Sequence, residues 1–180
     1  MANTVMTGKV RASFVHIFEP TAYRNNPPRY SCSLIIPKTD KETISAIRKA
    51  IDAAIEDGKV KWGGKVPPVS KLTLPLHDGD EDRPEDPAYA NSYYVKASSL
   101  EKPGIVDRDL TPITDPRGIY PGCYIRAVLN LYPYDANGSK GVAAGLAHVQ
   151  FWADGEPLNG RTRAEDVFTK LVDDDDDFLS

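Results

Sequence analysis

Residues 119–134, IYPGCYIRAVLNLYPY, carry two incompatible chemistries on one short stretch. The odd positions Cys123, Ile125, Ala127, Leu129 and Leu131 are all apolar, whereas the even positions are Tyr120, Tyr124, Arg126, Val128, Asn130, Tyr132 and Tyr134. A period of two belongs to an extended strand, so the odd side must meet a core while the even side faces something else. Asp135-Ala-Asn-Gly138 follows, with Asn137-Gly138 marking a hairpin tip. The returning strand is expected near Gly145 to Trp152, with Ala147, Val149 and Phe151 inward and His148, Gln150 and Trp152 opposite them.

The rest of the chain repeats the theme of strands broken by turns, with 15 prolines and 13 glycines as punctuation. From Thr4 to Phe18 the even positions Met6, Val10, Ala12, Phe14, His16 and Phe18 form a mostly apolar face, although Val15 and Ile17 break the alternation late. Thr21 to Arg29, with Asn-Asn-Pro-Pro, reads as a loop, and RYSCSLIIPK as a strand placing Tyr30, Cys32, Leu34 and Ile36 on one side. One long helix is predicted next. Thr39 and Glu42 suit a capping box, Ile44, Ile47, Ile51 and Ile55 make an apolar stripe, and Gly58 suits the stop. That stripe would lay the helix across one side of a sheet. YYVKAS, Tyr93 to Ser98, is a further strand, and Glu101 to Gly118 a proline-punctuated connection.

The fold class implied is mainly β with one long helix (α+β), most naturally a small antiparallel barrel of the OB-fold kind, with a sandwich left open. Residues 1–160 would form that domain, with loop excursions at about 58–71 and 78–88. A short helical segment is expected over 161–172, and an acidic, disordered tail over 173–180.

Charge is unevenly spread. The net charge is −4, yet without the five tail aspartates 22 Lys/Arg face 21 Asp/Glu, and without DGDEDRPED (78–86) as well the body stands at +6. A basic body with acidic appendages suits a polyanionic ligand. Nothing resembles a signal peptide or a membrane-spanning run, so an intracellular, cytoplasmic protein is expected. Cys32 and Cys123 lack zinc-site spacing and read as buried thiols. HExxH, GxSxG and P-loop motifs are missing, and no cofactor or metal is implied. The acids Asp78, Asp80, Glu81 and Asp82 offer a remote Mg²⁺-nuclease reading, weakened by their Gly/Pro-rich setting.

The outward tyrosines and arginine suit single-stranded nucleic acid, whose bases stack on aromatic rings while cations track the phosphates. Candidate DNA-binding residues are therefore Tyr94, Lys96, Tyr124, Arg126, Tyr132, Tyr134 and Trp152, with Arg11, Lys59, Lys61, Trp62 and Lys65 at the rims. Two alternatives stay open: the tyrosines cover a second apolar layer such as the helix, and Trp62 merely anchors its loop. An adaptor protein that docks a partner through its tail is the competing function.

In YANSYYVKASS (89–99), IYPGCYIRAVLNLYPYD (119–135), KGVAAGLAHVQFWADGEPLNGR (140–161) and the acidic C-terminus, the chain resembles the phage-encoded single-stranded-DNA-binding proteins. The resemblance implies an OB-fold that coats single-stranded DNA in replication or recombination without strong sequence preference. It also implies recruitment of partner proteins through the tail, and homodimerisation by tail exchange. The tail residues concerned are Asp173, Asp174, Asp175, Asp176, Asp177, Phe178 and Leu179; their aspartates imitate a phosphate backbone and Phe178 a base. In the family the aromatic residue is last or nearly so, whereas here Leu179 and Ser180 follow it.

Overall fold

The computed structural model describes residues 3–22, 25–136, 138–158, 168 and 171. The expected tail at 173–180 lies outside them, as does the helical segment over 161–172 apart from the exposed Phe168 and Leu171.

Eight strands and two helices run in the order β1 (Thr4–Met6), β2 (Val10–Thr21), β3 (Arg29–Pro37), α1 (Lys41–Asp57), β4 (Leu76–Asp78), α2 (Gly79–Asp82), β5 (Ser92–Ser99), β6 (Gly104–Val106), β7 (Tyr124–Ala136) and β8 (Ser139–Ala153). Five of the strands close a ring. β2 pairs antiparallel with β3, β3 with β5, β8 with β7 and β7 with β2, while β5 and β8 join in parallel at Ala97↔Ala144 and Ser98↔Gly145. This is a five-stranded barrel of the OB type, with β1, β4 and β6 added at its margins. The sandwich is excluded, because one continuous ladder returns to its start.

The apolar side of the opening motif behaves as its period requires. Cys123, Ile125, Ala127, Leu129 and Leu131 are at most 2% exposed and share one core with Cys32, Leu34 and Ile36 of β3 and Val95 and Ala97 of β5. On β8 the inward set is Val142, Ala144, Leu146 and Val149. Its parity changes at Ala147, because Val128 opposes His148 while Leu129 opposes Leu146. That bulge removes Ala147 from the inward set and keeps Val149 in it.

Helix α1 begins at Asp40, not Thr39. The Asp40 carboxylate accepts from the Thr43 amide at 3.2 Å, and the Thr43 hydroxyl in turn accepts the Gly8 amide at 2.9 Å. Ile44, Ile47 and Ile51 enter the same core as the strands, against β1, β7 and β8. A helix can share the interior of a closed ring only through one of its mouths. It therefore plugs an end of the barrel and leaves the outer wall uncovered, in place of the expected position across a sheet face. Gly58 follows it with an ordinary helical φ of −73°. Its lack of a side chain serves Trp62, whose ring would lie 2.6 Å from a Cβ at this position.

Cys32 and Cys123 are free and buried. Burial pushes their thiols up to about 12 and about 11, so both stay protonated and inert.

Candidate nucleic-acid interface

The outer wall of the ring is built from the alternate residues that the core does not use. On β3 and β5 these are Ser31, Ser33 and Ile35, facing Ser98, Lys96 and Tyr94. On β2 the alternation is interrupted: Ser13 opposes Ser33 but His16 opposes Ser31, so β2 carries one extra residue. Phe14 takes the strain with φ 47°, and its ring is turned out to 51% exposure. His16 is also exposed and Ile17 takes the buried place, which corrects the expected apolar face of this strand. The result is a groove of 320 Å³ lined by Phe14, Ser31, Ser33, Arg83, Lys96 and Ser98.

Its floor continues onto β8. Ser98 neighbours Gly145, and Ala143 is paired with Tyr132 of β7. Tyr132 is 40% exposed, with its ring edge 3.5 Å from where a Gly145 side chain would begin. The Tyr134 hydroxyl lies 2.9 Å from the corresponding point on Gly141. Small residues thus floor the wall between Phe14 on one side and two tyrosines on the other. The lysine-rich loop is tied to this second side, because the Trp62 indole N–H donates to the Tyr134 carbonyl at 3.0 Å.

The acidic stretch 78–88 is packed against the barrel and does not project from it. Lys38 pairs with Asp78 at 3.0 Å and Asp80 at 2.8 Å, and these contacts hold both carboxyls below their ordinary range. Asp80 also accepts the Asn91 amide, Asp82 the Tyr94 hydroxyl, and Asp86 the Ala88 amide. Tyr89 is 1% exposed, meets Tyr94 edge to face at 5.1 Å and donates to the Ser13 hydroxyl. Burial raises both tyrosine pKa values, and for Tyr94 the Asp82 contact adds to it. Burial lowers that of His77, which is stacked on Tyr94, against an opposing pull from Asp82. The acids therefore act as turn caps and ion-pair partners. Among the described residues no group of three His, Cys, Asp or Glu is placed to hold a metal ion. Arg83, the one base in the stretch, points the other way: its guanidinium carbon sits 5.0 Å from the Phe14 ring centroid, 5.0 Å from Tyr89 and 5.8 Å from Tyr94.

The expected site residues divide into three sets. Lys96, Tyr132 and Tyr134 line or flank the groove, with Lys59, Lys61 and Lys65 exposed on the adjoining loop. Trp62 and Tyr94 are each 5% exposed and present no free ring face; they anchor the lysine loop and the acidic stretch respectively. Tyr124, Arg126, Trp152 and Arg11 gather near the start of β7. Eight residues separate Tyr124 from Tyr132, about 26 Å along a strand. Arg11 spends its guanidinium on the carbonyls of Gly122, at 3.0 Å, and Glu156, at 2.7 Å. Tyr124 lies under Lys9 at 4.7 Å. Sequence reasoning missed Phe14, Arg83 and the serines; the only hint was the late break in alternation at Val15 and Ile17.

This geometry has close counterparts. The sequence model of one family, described as "Enterobacter phage Enc34, ssDNA-binding protein", matches residues 3–179. Protein p50 of Acyrthosiphon pisum secondary endosymbiont phage 1 is 34% identical over 167 residues, covering 87% of this chain and 86% of that protein. Among solved structures, the single-stranded DNA-binding protein from bacteriophage Enc34 in complex with ssDNA superposes with a TM-score of 0.73 at 26% identity, over 88% of this chain and 90% of that one. Gp2.5, a single-stranded DNA binding protein encoded by bacteriophage T7, shares the fold at a TM-score of 0.60 and 17% identity, over 91% of each chain. With nearly its whole length matched, the chain belongs to the family of the Enterobacter phage Enc34 ssDNA-binding protein.

Proposed function

We propose that this chain binds single-stranded DNA in the groove between Phe14 and Tyr132, without catalysing a reaction on it. The observation that carries the reading is the pairing of an outward-turned Phe14 with Arg83 and Lys96 over a floor of serines, alanine and glycine. A base stacks on the exposed ring for ~1–3 kcal/mol, while the cations and the lysine loop neutralise phosphates. No residue of the groove presents a fixed hydrogen-bonding pattern to a base edge, which favours binding of any sequence. The Enc34 protein solved with ssDNA supports the same ligand here.

The family context extends the reading to replication or recombination in the host cytoplasm. The tail, Asp173 to Asp177 with Phe178 and Leu179, competes with DNA for the groove at low salt and recruits partner proteins when displaced. Exchange of tails between two copies would give a homodimer. A fluorescent oligo-dT titration over a range of salt tests the core of this. The logarithm of affinity should fall against that of salt by about 0.7 per phosphate contact, and removal of residues 173–180 should tighten binding at low salt. Undetectable binding at low salt, or binding indifferent to salt, would sink the proposal. An unchanged affinity after tail removal would withdraw only the competitor role.

A further inference from the structure

The start of β7 holds a second cluster that the groove does not use. Arg126 is half-buried and donates from Nε to the Gln150 side-chain oxygen at 2.6 Å. Gln150 is itself oriented by donating to the Asp107 carbonyl at 3.2 Å. Arg108 donates from Nη1 to the Trp152 carbonyl at 2.6 Å. The two arginines, Gln150, Phe151 and Trp152 line a cleft of 220 Å³. Among the described residues neither guanidinium takes part in an ion pair. The nearest acid in sequence, Asp107, turns its carboxylate back onto the amides of Asp109 and Thr111. A relay of hydrogen bonds that fixes an arginine with no carboxylate partner leaves room for an external anion.

The cleft is continuous with the groove. From Tyr132 the outer face of the β7–β8 hairpin runs through Asn130, exposed and held by the Thr4 hydroxyl, past Val128 and the exposed His148 to Arg126 and Gln150. Six residues of strand span about 20 Å. At ~3.4 Å per nucleotide stacked, and about twice that stretched, the interval takes roughly three to six nucleotides.

We propose that a bound single strand leaves the groove at Tyr132, follows the hairpin, and seats a phosphate between Arg108 and Arg126 with a base against Trp152. The inference rests on the reading of the chain as a single-stranded-DNA binder, and it makes the hairpin the element that sets the footprint.

The test compares oligo-dT of about 6 and about 16 nucleotides, within the range covered by single OB folds, at about 0.15 M salt. Under those conditions charges 20 Å away are screened. The Arg108→Glu/Arg126→Ala variant should bind the long oligomer about tenfold more weakly, with its salt slope reduced by about 1.4, and should bind the short one as the unaltered protein does. Arg108→Glu alone changes an exposed side chain, guards against a folding defect, and should show the same selectivity. Equal losses for both lengths, or none for the long one, would overturn the proposal. So would a synthetic peptide of residues 170–180 that binds only when both arginines are intact while long-oligomer binding is indifferent to them; the cleft would then be a peptide dock. If neither length binds the unaltered protein, the underlying single-stranded-DNA reading falls as well.

Discussion

The loops 58–71 and 78–88 carry opposite charge and start from the same sequence character, rich in Gly, Pro and ionisable residues. The barrel treats them in opposite ways. The first is pinned by one buried indole, so Lys59, Lys61 and Lys65 are left outward beside Tyr134. The second turns its acids onto Lys38, backbone amides and Tyr94, and shows the groove its single arginine. The sign of charge a ligand meets is therefore set by where each loop is anchored, and not by the loop's own net charge.

The comparison breaks most severely at the lysine loop's anchor. Trp62→Ala should cost about 3–5 kcal/mol of stability by chemical denaturation, because a buried ring leaves a cavity; a loss under about 1 kcal/mol would mean the indole anchors nothing. Gly58→Ala attacks the same anchor from below by driving a methyl into the ring, with ~1–3 kcal/mol expected. Phe14→Ala probes the groove instead. It should leave the unfolding midpoint nearly unchanged, since the ring is half exposed, and weaken oligo-dT by ~1–3 kcal/mol, roughly five- to 150-fold. Arg83→Ala should cost DNA affinity by ~0.5–1 kcal/mol through the lost cation over Phe14, which the same titration reads.

The smallest effect is on pH. Lys38 depresses Asp78 and Asp80 below their ordinary 3.8, so the folded state binds their protons less readily than the unfolded chain. Their contribution to stability is present above that value and is lost as the pH falls through the lowered folded values. Amide exchange at Asn91, whose N–H is held by Asp80, should accelerate there before the barrel melts. In Lys38→Met that acceleration should begin nearer 3.8.

Much of the barrel was legible because alternation reports burial directly: the inward faces of β3, β5 and β7 follow from their periodicity alone. What escaped was whatever depends on a break in that period. The β2 bulge turns Phe14 out and His16 with it, and the only trace in the sequence is the phase change at Val15 and Ile17. The bulge at Ala147 sits in Ala-Ala-Gly-Leu-Ala, where no polar residue marks a face. The acidic stretch was misread because its chief partner, Lys38, lies 40 residues away in sequence from Asp78, a pairing that only the β3–β5–β4 ladder creates. Tyr94 and Tyr132 looked equivalent as outward aromatics. One is roofed by Arg83 and Tyr89 and the other is not, a distinction made by tertiary contacts.

Photo-cross-linking of an iodouridine-substituted oligo-dT, mapped by mass spectrometry, addresses the groove directly. The account places cross-links at Phe14 and Tyr132, with Tyr94 and Trp62 silent. Cross-links confined to Trp62 and Tyr94, with Phe14 untouched, would contradict it.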